Sequence, residues 1–156
     1  QKVFHELEDF IEKRNDVSTL SIDDTETEDL KLVLWAANNK TLKFGPYFHA
    51  MRDSDFVFCL PGTYWTPRPV ESTACGAIPI IGDDYLHSYD IPFKDGVNCV
   101  IIRNCKVIRN WSLALDRILA FSDDEIRFMR KNIHNLRNTH LLPEMDVERQ
   151  KQRLGL

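Results

Sequence analysis

The sequence predicts an α/β fold in which a parallel sheet carries helices on both faces. Two short apolar runs, Asp55–Leu60 and Ile78–Ile81, have the composition of strands buried on both sides. Between them lies Pro69–Cys75, a stretch of helical length closed by Gly76, where a helix C-cap favours a left-handed residue. A third apolar run, Cys99–Ile102, precedes two amphipathic segments rich in Leu, Ile and Met. Strands alternating with helices indicate a parallel sheet, and such sheets bind ligands beyond the carboxyl ends of their strands.

Taken in order, Val3, Phe4, Leu7, Phe10 and Ile11 repeat at the spacing of one helical face, and Val17–Ile22 alternates as a short strand. Asp23–Asp29 is an acidic, solvated connection. Leu30–Ala37 is continuously apolar, and strand and helix fit it equally. Gly45-Pro46 breaks the chain ahead of a short helix at Tyr47–Asp53. Beyond the strand Ile78–Ile81, Asp83–Gly96 is a polar loop rich in Tyr, Asp and Pro. Ser122 and Glu125 form a capping box between helices at about Trp111–Phe121 and Asp123–Thr139. Leu113, Leu115, Ile118, Leu119, Ile126, Met129, Ile133 and Leu136 supply the core faces of these helices. Pro143 then stops the chain, and Glu144–Leu154 is a charged terminal helix.

Residues 1–156 are expected to form a single domain, long enough for a substantial core. With 43% hydrophobic and 28% charged residues the composition is that of a globular protein. A net charge of −4 gives no support to nucleic-acid binding, so phosphate recognition must rest on a few placed residues. No run has the roughly 18 apolar residues of a membrane span, and QKVFHELEDF is amphipathic and acidic, unlike a signal peptide. Cys59, Cys75, Cys99 and Cys105 lack metal-ligand spacing and are read as free, largely buried thiols. They favour a reducing compartment. His49, His87, His134 and His140 share no ligand spacing, so no metal is expected.

The most informative stretch is Phe56–Gly82, FVFCLPGTYWTPRPVESTACGAIPIIG. A strand leads through a Pro/Gly-broken loop into a helix that opens near Arg68-Pro69. This places a basic side chain and free backbone N–H groups at a helix N-terminus, where phosphates bind. Glu71 follows three residues later on the same helical face. An arginine for a diphosphate beside a carboxylate for ribose hydroxyls suits a nucleotide sugar. The bland alternative is an i, i+3 ion pair between Arg68 and Glu71, worth about 0.2–0.5 kcal/mol. Lys43 and Arg52 are further cations that could assist phosphates. Tyr64 and Trp65 fit either stacking on a base or sugar, or burial against another domain.

The ordered set FCLPG…PRPVESTACGAIPII resembles the donor-binding half of GT-B glycosyltransferases, and most closely the exostosin-like group. The residues carrying the likeness are Tyr47 in a helix, Ser54, Phe58-Cys59-Leu60, Gly62, Arg68, Glu71 and Gly76-Ala77-Ile78-Pro79-Ile80. Pro92-Phe93 and Asp95-Gly96-Val97-Asn98 extend it. The resemblance implies a Rossmann-like donor domain that transfers a sugar from a nucleoside-diphosphate sugar, expectedly a UDP-sugar, to a saccharide acceptor. It implies catalytic roles for Arg68, at the diphosphate, and Glu71, at the ribose. Gly62, Thr63, Tyr64, Trp65 and Thr66 would line the donor through their loop, with Ser72 and either Asp83 or Asp84 beside it. No metal or other cofactor is implied, because cationic side chains and a helix dipole offset the leaving-group charge.

Many GT-B enzymes carry another Glu eight residues before the ribose Glu. Thr63 holds that place here, and the stereochemical course stays open. The resemblance covers roughly Tyr47–Ile102, finds no first donor-domain strand before Lys2, and leaves the acceptor-side domain without a counterpart upstream. A fragment, a reduced homologue, or a half acting with an acceptor-binding domain or partner chain is therefore expected. The alternative from another class is a non-catalytic nucleotide- or sugar-binding module. The family's Golgi setting and the cysteines' preference for reducing conditions leave the compartment open between Golgi lumen and cytoplasm. Ser72 lies in no Gly-x-Ser-x-Gly elbow, so hydrolase chemistry has no support.

Overall fold

A computed structural model of the chain describes residues 33–34, 44–59, 66–142, 144, 147–148 and 151–152. The elements are β1 (Val33–Leu34), α1 (Phe44–Asp53), β2 (Phe56–Cys59), α2 (Arg68–Cys75) and β3 (Ile78–Gly82). A 3-10 turn at Asp83–Ser88 leads towards β4 (Val100–Ile102), then α3 (Ile108–Ala120) and α4 (Asp123–Leu136), which ends in a π turn at Arg137–Leu141. The helix at Val3–Ile11, the strand at Val17–Ile22, the acidic connection Asp23–Asp29, Lys43 and the loop residues Gly62–Trp65 lie outside the described residues.

The four strands form one parallel sheet in the order β1-β2-β3-β4. With the usual right-handed crossovers, a monotonic order puts every connection on one face. Alternation along the strands shows that arrangement. Val57, Cys59 and Ile81 pack with Met51 of α1, Ala77 and Cys99, with Tyr47, Cys75, Leu86 and Phe93 against them. Phe56, Phe58, Ile78, Ile80, Val100 and Ile102 point to the opposite face and pack on Trp111, Leu115 and Ile118 of α3 and Ile126, Met129 and Ile133 of α4. The two helices that follow the last strand thus cover the face that the crossovers leave bare.

Several local signals behave as their chemistry requires. Gly76 takes φ 87°, and its N–H and that of Ala77 donate to Thr73 O and Ser72 O in a Schellman closure. The Ser122 hydroxyl accepts from Glu125 N while the Glu125 carboxylate accepts from Ser122 N at 2.8 Å. Other boundaries differ from expectation. Strand pairing with β2 decides Val33–Leu34, which periodicity left open. Gly45-Pro46 lies inside the first turn of α1 rather than ahead of it, which costs little because first-turn N–H groups have no helical partner anyway. Near the end of α4 the Thr139 hydroxyl donates to Asn135 O at 2.9 Å, competing for a helical carbonyl where the turn widens.

Pro79 sits inside an interior strand, an unusual place for a residue without an N–H. Ile78 N donates towards β2, to Asp55 O at 2.8 Å, so the next nitrogen faces the β4 side. The ladder with β4 starts only at Ile80, opposite Val100, so no sheet bond is forfeited.

The outer edge of β4 is closed by its own preceding turn. Gly96 N donates to Cys99 O at 2.9 Å, and Ile101 N donates to Asp95 Oδ1 at 2.9 Å. Arg117 of α3 holds the same carboxylate at 2.8 and 3.0 Å. Asn98, only 7% exposed, accepts from Lys94 N and donates to Pro92 O. The Asp-Gly-Val-Asn element is therefore a folded brace that occupies edge groups otherwise open to another strand. Asp95→Ala is expected to lower unfolding free energy by about 1.5–3 kcal/mol, the range for hydrogen bonds to a charged group. Urea unfolding measures the loss, and light scattering should report increased self-association.

Candidate functional site

Of the expected site residues that fall within the described set, the first turn of α2 positions two. Arg68 opens the helix after Pro67, and Glu71 stands one turn on; both are half-buried. The strand order puts this turn at the carboxyl end of β2, the side on which parallel sheets bind ligands. Arg68–Glu71 is not among the ion pairs of the described residues. Glu71 Oε2 instead accepts a 2.8 Å hydrogen bond from the Tyr47 hydroxyl, contributed by α1 from 24 residues away.

Tyr47 packs against the apolar cluster between the sheet and α1, and its ring meets Phe48 edge-on at 5.2 Å. Burial, then the hydrogen bond to Glu71 and that carboxylate's charge, push the phenol well above its ordinary pKa. Tyr47 therefore stays a neutral donor through the neutral pH range. The positive charge of Arg68 opposes this shift, and it also acts on the Cys59 thiol at the end of β2. Arg68, Glu71, Tyr47 and Cys59 thus feel one another across the same end of the sheet.

The helix N-terminus differs from the expected phosphate cradle. Val70 N and Glu71 N both donate to Pro67 O, at 2.9 and 3.0 Å, and Pro69 has no N–H. Arg68 N approaches Thr66 Oγ1 at 3.4 Å. The expectation of free backbone donors at the start of α2 is thus corrected: Pro67, itself helical at φ −72° and ψ −13°, turns its carbonyl onto Val70 N as well as onto Glu71 N, whose bond is the ordinary first bond of the helix. Among the described groups at this helix start, the Arg68 guanidinium carries the positive charge.

Among the other candidates, Ser72 is fully buried, donates to Pro69 O at 3.2 Å and lies 3.9 Å from Cys59 Sγ. It is part of the packing between α2 and β2. Asp83 accepts from Asn104 N at 3.0 and 3.1 Å, bracing the turn after β4, where Asn104 adopts φ 50°. Asp84 is exposed and lies 3.7 Å from Lys106 Nζ. Both acids stand at the carboxyl end of β3, already engaged with the β4–α3 turn. Thr66 O accepts from the Tyr89 hydroxyl at 2.8 Å, which ties the approach to α2 to the segment after the 3-10 turn. That anchor had no signal in sequence spacing.

His49 is exposed on α1, and Arg52 pairs with its neighbour Asp53 at 2.8 Å in solvent. All four cysteines are free, with Cys59, Cys99 and Cys105 buried. Among the described residues no group of His, Cys, Asp and Glu has the arrangement of a metal site, and no helix is long and apolar enough to cross a membrane. No family model, no curated protein and no solved structure matches this chain.

Proposed function

We propose that the chain is the Rossmann-like, nucleotide-sugar half of a GT-B glycosyltransferase of exostosin-like type. It would serve the transfer of a sugar from a nucleoside-diphosphate sugar, a UDP-sugar, to a saccharide acceptor. The observation that supports this is the bond between Tyr47 and Glu71. Two residues that the sequence pattern picks out on separate elements meet directly, next to an arginine whose charge is not consumed by Glu71.

In this reading Glu71 accepts hydrogen bonds from ribose hydroxyls, and Arg68 grips the diphosphate. When the bond from the anomeric carbon to the diphosphate oxygen breaks, its electron pair stays with that oxygen. The Arg68 guanidinium, a planar bidentate donor, then stabilises the nucleoside diphosphate that leaves. No bound metal is needed for that role. The acceptor and its activation belong to an acceptor-binding domain or partner chain.

Calorimetric titration of the chain with UDP tests the proposal. Arg68→Ala and Glu71→Ala are each expected to weaken binding by about 10- to 100-fold, the equivalent of about 1.5–3 kcal/mol for a hydrogen bond to a charged group. Both side chains are half-exposed, so circular dichroism should stay unchanged. Labelled UDP-sugars separate two outcomes: slow donor hydrolysis marks intact leaving-group chemistry, and binding without turnover marks a module that acts with a partner. Absence of nucleotide binding removes the reading.

A further inference from the structure

We propose that Tyr47 is a specificity-determining positioning residue: it holds the Glu71 carboxylate in one orientation and so makes the site select ribonucleotides over 2′-deoxyribonucleotides. The inference rests on the nucleotide-sugar reading above and names what that site discriminates. A glutamate side chain has three torsions, and the last is broad, so an untethered carboxylate swings to follow whatever donor or water is present. Glu71 is tethered. Its partner is a phenol with only two side-chain torsions, on α1, whose ring is packed between Phe48 and the apolar cluster of Met51, Val57 and Cys59.

The direction of the bond matters. Tyr47 donates and Glu71 Oε2 accepts, which leaves the carboxylate as an acceptor-only group. An ionised carboxylate offers about four lone-pair positions, and the phenol occupies one of them. What remains is matched by two O–H donors on adjacent carbons, which is what the 2′,3′-diol of a ribose presents. A 2′-deoxyribose supplies one donor and leaves a partly desolvated lone pair unsatisfied. Sites built to bond a hydroxyl reject analogues that lack it far more strongly than apolar pockets reject a shape change. That rejection requires a carboxylate that cannot rotate away to water. A Phe at this position would release it.

The experiment titrates the full chain with UDP, 2′-deoxyUDP and inorganic pyrophosphate, in wild type and Tyr47→Phe. Wild type is expected to favour UDP over 2′-deoxyUDP by about 10-fold or more. Tyr47→Phe should bring that ratio to within about 3-fold while pyrophosphate, which reports on Arg68, binds as before. In a Glu71→Ala background the Tyr47 substitution should change the ratio no further, since the pair acts as a unit. Tyr47→Phe with an unaltered ratio overturns the proposal. So does an equal loss of affinity for all three probes, which would make Tyr47 a packing residue only. Wild type that binds no UDP overturns the nucleotide reading as well, whereas UDP binding that needs Glu71 and ignores Tyr47 overturns this inference alone.

Discussion

Trp111→Ala is expected to lower unfolding free energy by about 3–5 kcal/mol, a large share of the 5–15 kcal/mol that holds an ordinary domain together. Trp111 is fully buried on the face of the sheet covered by α3 and α4, with its ring 6.0 Å from that of Phe58. Truncation leaves a void that β2, β4 and α4 border together, so collapse of any one element cannot fill it. The indole Nε1 also donates to Cys105 O at 2.7 Å, in the turn that joins β4 to α3. Losing the donor strands a buried carbonyl, which costs about 1–3 kcal/mol by itself. Trp111→Phe separates the two effects, since it keeps most of the apolar volume and removes only the N–H. Urea unfolding followed by circular dichroism gives both values. A loss below about 1 kcal/mol for Trp111→Ala would mean that this helix face is not the core the packing indicates.

Much of that core was legible from spacing alone. Leu115, Ile118, Ile126, Met129, Ile133 and Leu136 fall on the buried faces of α3 and α4, as their helical periodicity requires. Leu113, included with them, is 54% exposed. Its position lies off the stripe that Trp111, Ala114, Leu115 and Ile118 define, and hydrophobicity alone did not reveal that. The strands at Phe56–Cys59 and Ile78–Gly82 were equally plain, because a strand buried on both faces has no polar residue to interrupt it. Val33–Leu34 stayed ambiguous for the same reason: a wholly apolar run carries no period, and only its pairing with β2 decides it.

The candidate site was legible in its residues and not in its bonds. Arg68 and Glu71 share a helix turn, so their proximity follows from spacing. The Tyr47–Glu71 bond joins residues from two helices and depends on α1 and α2 lying side by side on one face of the sheet. The loss of free amides at the start of α2 was hidden because it depends on the backbone angles of Pro67, a residue whose ring fixes φ and leaves ψ open. Asp83 shows the same limit. It was expected beside the donor, and it accepts a backbone N–H that braces a turn. A carboxylate near a strand end serves either purpose, and the sequence does not say which amide will face it.

Raising the pH from about 9 towards 12 is expected to destabilise the fold steeply, with Cys59 and Cys99 as principal contributors. Burial pushes both thiols up to about 12 from an ordinary value of 9.0. Cys59 lies under α2 and Cys99 beside the edge of the sheet, each almost without solvent exposure. The Ser72 hydroxyl, 3.9 Å from Cys59, offsets the shift only in part. Above pH 9 the unfolded chain releases these protons while the folded chain keeps them, so the unfolded state binds fewer and stability falls as pH rises. The contribution is fully present below pH 9 and is lost as pH climbs through the folded value near 12. Three pH units at 1.36 kcal/mol each set an upper bound of about 4 kcal/mol per thiol. The raised Tyr47 phenol adds a loss of the same sign at higher pH. Urea unfolding under reducing conditions at pH 8, 9, 10 and 11 measures the slope. Replacing both cysteines by alanine should lower stability modestly at pH 8 and flatten the slope above pH 9, so that the two curves approach each other. Curves that run parallel from pH 8 to 11 would show that these thiols ionise in the folded chain as readily as in the unfolded one, which neither burial beneath α2 nor burial at the sheet edge allows.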